Sequence, residues 1–218
     1  MLRNLLATSV LMATLAHGGE TARIPAQRVV LVHGIFQSDW RCFGFLRNDL
    51  EKRGIECLVP SLKPADGRDG LPMMAEQLKQ EIHERFGDER VVVIGFSMGG
   101  LISRYYLQEL GGAKRCDGFF TISTPHHGTK MAHLFYGEGA RQMRPGSEFL
   151  TRLAATENRL GTMPVVSYRT PADLIIRPTV SSKWARAENL CVPCPLHPMM
   201  TFSPRVRRDI MERLAPPR

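Results

Sequence analysis

At 218 residues, with 43% hydrophobic residues, the chain can bury one sizeable core and is too apolar for a disordered tail. Its formal charge of +8 and pI near 9.6 come from dispersed basic residues, concentrated only at Arg205, Arg207, Arg208 and Arg213. No basic run is interleaved with aromatics, so no nucleic-acid partner is expected. A solvated surface with weak attraction to anionic membrane surfaces is.

The N-terminus reads as a targeting segment. Met1-Leu2-Arg3-Asn4 is a short positive start, and Leu5 to Ala16 is charge-free, mostly apolar and too short to span a bilayer. Thr14-Leu15-Ala16 and Ala16-His17-Gly18 both offer small-residue cleavage sites. Residues 1–18 are therefore expected to be a signal peptide and the location periplasmic or secreted. An uncleaved anchor, or an N-terminal helix packed on the protein, is the alternative. Residues 19–218 read as a single domain.

From residue 28 onward, strand-like and helix-like patterns alternate. The run Arg28-Val29-Val30-Leu31-Val32 leads into His33-Gly34-Ile35-Phe36. A helix over 41–53, a strand over 55–59 and a helix over 72–86 follow, the last lined by Met74, Leu78 and Ile82 and ended by Gly87. Such alternation specifies an α/β fold with a mostly parallel sheet flanked by helices.

The next strand, Val91 to Ile94, drives into Gly95-Phe96-Ser97-Met98-Gly99. Met98, Leu101, Ile102, Tyr105 and Tyr106 then repeat at helical spacing, and Gly111-Gly112 closes the pattern. A G-x-S-x-G match between a strand and a helix is the context of a nucleophile elbow. The glycines keep Cβ atoms out of a turn too sharp for them, and Gly100 is expected to let the helix approach the sheet.

A nucleophilic serine needs a base, and the base an orienting acid, in the chain order Ser, Asp or Glu, His. Between Asp117 and Asp209 the only aspartate is Asp173, just past the strand-like run Met163 to Tyr168. The only histidine beyond it is His197, in the loop Pro193-Cys194-Pro195-Leu196-His197-Pro198. A helix then starts at Ser203-Pro204 with Val206, Ile210, Met211 and Leu214 on its apolar face. Glu188 competes as the acid, but no strand precedes it. Ser97, Asp173 and His197 are the expected triad.

Acyl transfer also needs donors for the developing oxyanion. The backbone N–H of Met98 follows the nucleophile, and Gly34 lets its turn aim the Ile35 N–H at the same point, with Phe36 the weaker choice. His33 precedes the serine in the chain and is expected to brace this loop rather than act as base.

These residues resemble a known family. The segments Val29 to Gly34, Gly95 to Leu101, Thr121-Ile122-Ser123-Thr124-Pro125-His126-His127-Gly128-Thr129 and Pro171-Ala172-Asp173 look like those of bacterial lipases and esterases of the α/β-hydrolase superfamily. The pattern lies near the small triacylglycerol-lipase and inositol-deacylase-like groups, and the resemblance spans about residues 28 to 200. It implies Ser97 as nucleophile, Asp173 as acid, His197 as base, Ile35 and Met98 as oxyanion donors, an ester or lipid substrate, and no cofactor or metal. Phe96 departs from the histidine many relatives carry before the serine; facing the core, it should cost no activity. His126 and His127 sit in what is a structural turn in such relatives, with substrate contact as the alternative.

Residues 130–160 correspond to the superfamily's cap, here short, so a small cap over an open acyl pocket is expected; two ordinary surface helices are the alternative. Of the five cysteines, Cys191 and Cys194 stand six and three residues before His197, where a disulfide would stiffen the base's loop. The expected reaction is ester hydrolysis through an acyl-enzyme. An acyltransferase or thioesterase on the same triad, and a non-catalytic binding protein on the same fold, are the alternatives.

Overall fold

The computed structural model describes residues 23–36 and 40–216; the signal-peptide expectation lies outside them. In chain order the elements are β1 (Ile24–Pro25), β2 (Arg28–Val32), α1 (Trp40–Glu51), β3 (Glu56–Leu58), α2 (Leu71–Phe86), β4 (Val91–Phe96), α3 (Met98–Glu109) and β5 (Cys116–Ile122). There follow α4 (Glu138–Gln142), α5 (Glu148–Ala155), β6 (Val165–Arg169), β7 (Glu188–Cys191), α6 (Pro204–Arg213) and β8 (Leu214–Ala215), with short 3-10 turns between.

Six strands form one wholly parallel sheet in the order β3-β2-β4-β5-β6-β7. Strands buried on both faces carry apolar side chains at every position. In β2 and β4, Val30, Val32, Val91 and Val93 point to the layer built by α2, α3 and α5, whereas Val29, Leu31, Val92 and Ile94 point to that of α1 and α6. Chain direction along the sheet reverses between β2 and β4. Loops leaving the two strands there must part, which opens a crevice at their C-terminal ends. The nucleophile elbow and the loop after β2 both rise from this point.

Three details differ from the sequence expectation. The last helix stops at Arg213, and Leu214 instead pairs in parallel with Ile24 in a separate two-stranded ladder. Ser203 holds the N-cap position of α6 without making a side-chain cap bond. Glu188 opens an edge strand, β7, which the pattern Glu188-Asn189-Leu190-Cys191 does not announce because it carries no β-branched residue. Residues 130–143 border the crevice, while α5 and the 3-10 turn Glu157–Leu160 pack on α3 at the sheet's flank. Among the described residues no helix is long and apolar enough to cross a membrane.

Candidate active site

Ser97 sits between the last residue of β4 and the first of α3 at φ 53° and ψ −124°, a conformation that costs a non-glycine residue about 1–3 kcal/mol. Close packing holds it there. Gly95 and Gly100 leave no room for side chains between them, a Cβ on Gly95 falling 2.6 Å from the Gly100 Cα. A Cβ on Gly99 would strike the carbonyls of Val32 and His33, and one on Gly100 would strike the Thr124 side chain. Gly100 thus lets the helix pack closely on β4, as the sequence implies, and Gly99 adds its approach to the end of β2. The Ser97 N–H donates to Ile122 O at 2.8 Å, tying the elbow to the end of β5.

The structure brings the other two expected residues to this serine. His197 Nε2 lies 2.9 Å from Ser97 Oγ, and His197 Nδ1 lies 2.8 Å from Asp173 Oδ2. A proton on Nδ1 donated to the carboxylate leaves Nε2 as acceptor for the serine hydroxyl. The other Asp173 oxygen accepts the N–H groups of Ile175 at 2.9 Å and Ile176 at 2.8 Å. Burial would raise the Asp173 pKa, but His197 and these two amides outweigh it and hold the carboxyl below its ordinary value. Glu188 is held by Arg213 at 2.6 and 2.7 Å on the far edge and takes no part.

Met98 opens α3, so its N–H belongs to the first turn, whose amides lack intrahelical acceptors and carry the positive end of the helix dipole. Across from it, the Phe36 N–H is taken by Ala65 O at 2.9 Å. Ile35 borders the cavity, and His33 Nδ1 lies 2.9 Å from Gly34 O, bracing the loop that carries Ile35. Phe96 faces the core, and its ring also packs 4.9 Å from that of His197.

One positioning contact escaped the sequence reading. Thr170 Oγ donates to Cys194 O at 2.7 Å and accepts the Cys194 N–H at 3.2 Å, which clamps the loop of the acid to the loop of the base. Cys191 and Cys194 are both free thiols, one exposed and one buried, so this clamp rather than a disulfide steadies His197.

Above Ser97 lies an apolar cavity of about 230 Å³. Phe96, Met98, Ala132, Met143 and Ile176 form its buried wall, and Phe36 and Ile175 stand exposed at its mouth. Neither His126 nor His127 lines it; Pro125 does. His126 is instead buried against Thr121 at 3.1 Å and stacked on Trp184, and the Arg104 guanidinium also lies over that indole, 4.2 Å from the ring centroid. Burial and the adjacent Arg104 charge hold His126 well below its ordinary pKa, so it is neutral. Burial likewise lowers Arg104 to about 10, partly offset by Glu157, and the guanidinium remains charged at neutral pH. Among the described residues no three His, Cys, Asp or Glu side chains cluster as metal ligands do.

The α/β-hydrolase fold family matches residues 27–186, most of the chain and every strand of the main sheet up to β6. The chain belongs to that family. Among curated proteins it is 29% identical over 158 residues to a triacylglycerol lipase of Pseudarthrobacter phenanthrenivorans and, over the same length, to one of Burkholderia plantarii. These matches cover 67% of this chain but 47% and 42% of the relatives, so the chain spans less than half of their length. Among solved structures, the mature Bacillus licheniformis lipase BlEst2 superposes with a TM-score of 0.65 at 18% identity, covering 83% of this chain and 87% of that one. A Paleococcus ferrophilus monoacylglycerol lipase gives 0.66 at 15% identity over 88% and 96%. At such identities the structural likeness establishes the α/β-hydrolase fold and nothing finer.

Proposed function

We propose that the chain hydrolyses carboxylic esters of lipids or small alcohols through a Ser97 acyl-enzyme. The observation that carries this reading is the continuous relay Asp173–His197–Ser97, which ends on a strained, helix-capped serine facing an apolar cavity. His197 Nε2 takes the Ser97 proton as Oγ attacks the ester carbonyl, and Asp173 keeps the ring oriented and stabilises its charged form. The Ile35 and Met98 amides hold the tetrahedral oxyanion. His197 then gives its proton to the leaving alcohol, and a water activated by the same base frees the acid. The similarity to triacylglycerol lipases supports this reaction class. No cofactor enters any step.

A fluorophosphonate probe tests the nucleophile directly. The reading expects one covalent adduct, on the peptide containing Ser97, and its loss in His197→Ala. Labelling elsewhere, or none in folded protein, overturns it. Residues 1–18 are proposed to direct export to the periplasm or beyond; the mature N-terminus of protein recovered from cells, read by mass spectrometry, tests this.

A further inference from the structure

A carboxylate that orients a histidine must itself be held, and Asp173 sits in an exposed turn. Its own side chain is buried, yet Pro171, Ala172, Leu174, Ile175 and Arg177 around it are all exposed. Surface turns move unless hydrogen bonds fix their backbone. The carboxylate is no anchor for its own turn. Its Oδ1 accepts the N–H groups of Ile175 and Ile176, so it travels with them.

The anchor is one hydroxyl. Thr129 Oγ donates to Ile175 O at 2.6 Å and accepts the N–H groups of Arg177 at 3.0 Å and Met131 at 3.3 Å. A hydroxyl has one proton and two lone pairs, so every capacity of this one is engaged. The Thr129 backbone is engaged as well: its N–H donates to Met143 O at 2.9 Å, and its carbonyl accepts the Ala132 N–H at 3.1 Å. Met131, Ala132, Met143 and Ile175 all line the cavity, as does Thr129 itself, which is buried. The cavity wall and the turn of the acid therefore meet in a single side chain. Beside it the Lys130 N–H donates to Arg177 O at 2.8 Å, a backbone bond that survives substitution of Thr129.

We propose that Thr129 is a positioning residue for the acid: its hydroxyl holds the Ile175–Arg177 turn, and through it the Asp173 carboxylate, against the wall of the cavity. The two side chains grip the same turn. Asp173 takes the N–H groups of Ile175 and Ile176, and Thr129 takes the carbonyl of Ile175 and the N–H of Arg177. Without the hydroxyl, Ile175 O loses that donor and turns toward water, drawing Asp173 Oδ2 out of line with His197 Nδ1. Small displacements of an orienting group carry large kinetic costs. The kinetic part of this proposal rests on the ester-hydrolase reading, whereas the link between hydroxyl and turn is tested without turnover.

Thr129→Val keeps the shape of the side chain and deletes all three hydroxyl bonds. Thr129→Ser keeps the bonds and deletes a methyl group. Tyr168→Phe removes a buried hydroxyl bonded to Asp209 on the α6 side of the sheet, and controls for a general loss of stability. The first readout is amide hydrogen exchange resolved by residue with NMR. In Thr129→Val it should quicken by at least about tenfold at Ile175 and Ile176, although their acceptor Asp173 is unchanged, and stay as in the wild type along β4. The second is hydrolysis of a soluble acetate ester. There kcat should fall about thirtyfold with KM within about twofold, because the acid acts in the transition state and not in substrate binding. Thr129→Ser should recover both readouts to within about threefold of the wild type, and Tyr168→Phe should change neither.

Wild-type exchange at Ile175 and Ile176 in Thr129→Val, wild-type kcat in that variant, or no recovery in Thr129→Ser overturns the proposal. Should Thr129→Val fail to fold by circular dichroism, Thr129→Cys takes its place, its thiol being a weak donor and acceptor. That variant must still lose about tenfold in kcat, and wild-type kcat there overturns the proposal equally. Wild-type protein inert toward esters, with the exchange at Ile175 and Ile176 still quickened by Thr129→Val, overturns the hydrolase reading and supports the anchoring of the turn.

Discussion

Ser97 Oγ and His197 Nε2 meet at 2.9 Å although the two residues stand 100 positions apart in the chain. The distance is set by two independent devices. Glycine packing fixes the serine from below, and the Thr170–Cys194 clamp fixes the histidine loop from the side. Each lies outside the reacting atoms, which explains how a loop histidine is held without a disulfide.

Asp173→Asn should leave the fold and substrate binding intact while lowering kcat by about 10³–10⁴, because an amide no longer selects the Nδ1–H tautomer. Steady-state kinetics on a soluble ester check it, with KM changing little. A fall in kcat below tenfold would place the acid elsewhere.

The same carboxyl carries a stability term of known sign. Its folded-state pKa lies below its ordinary value near 3.8, so it stabilises the native state above that pH and loses the contribution as pH falls through the lower, folded value. Urea unfolding between pH 5 and pH 2 should therefore show a smaller acid-side loss of stability in Asp173→Asn than in the wild type. Parallel curves would contradict this.

Arg104 is 1% exposed, donates to Leu153 O and Glu157 at 3.0 Å each, and stacks on Trp184. Arg104→Met should cost about 3 kcal/mol, since it strands polar partners that were paired in the interior. Arg104→Lys should not restore that loss, because one ammonium cannot span both acceptors and the indole face. Thermal melts of the two variants decide it.

Met143 is a buried wall residue of the cavity that Ser97 also lines. Met143→Ala should move the preferred acyl chain about two to four carbons longer, with the soluble-ester rate for short chains little changed. An unmoved optimum would mean the acyl group lies along another wall.

Much of this was legible in the chain because the deciding residues announce themselves locally. Val91 to Gly99 carries its strand, turn and helix in one continuous segment, and Asp173 and His197 stand alone in their intervals. What was not legible depends on partners far apart. Arg104 shares the helical face of Leu101 and Gln108, so a charge on a buried stripe was visible, but Trp184 and Glu157 as its partners were not. β7 hides because an edge strand need not be apolar on both faces, and Leu214 left its helix for a ladder with Ile24 that no local pattern encodes. The 130–143 segment follows the cavity it borders rather than a periodicity of its own.

The most direct measurement is p-nitrophenyl ester hydrolysis across acyl chains from acetate to palmitate, with Ser97→Ala measured beside the wild type. The account predicts turnover that falls by at least about 10⁴ in Ser97→Ala, with the elbow still folded. Turnover that survives the substitution, or folded wild-type protein inert toward every ester in the series, would contradict it.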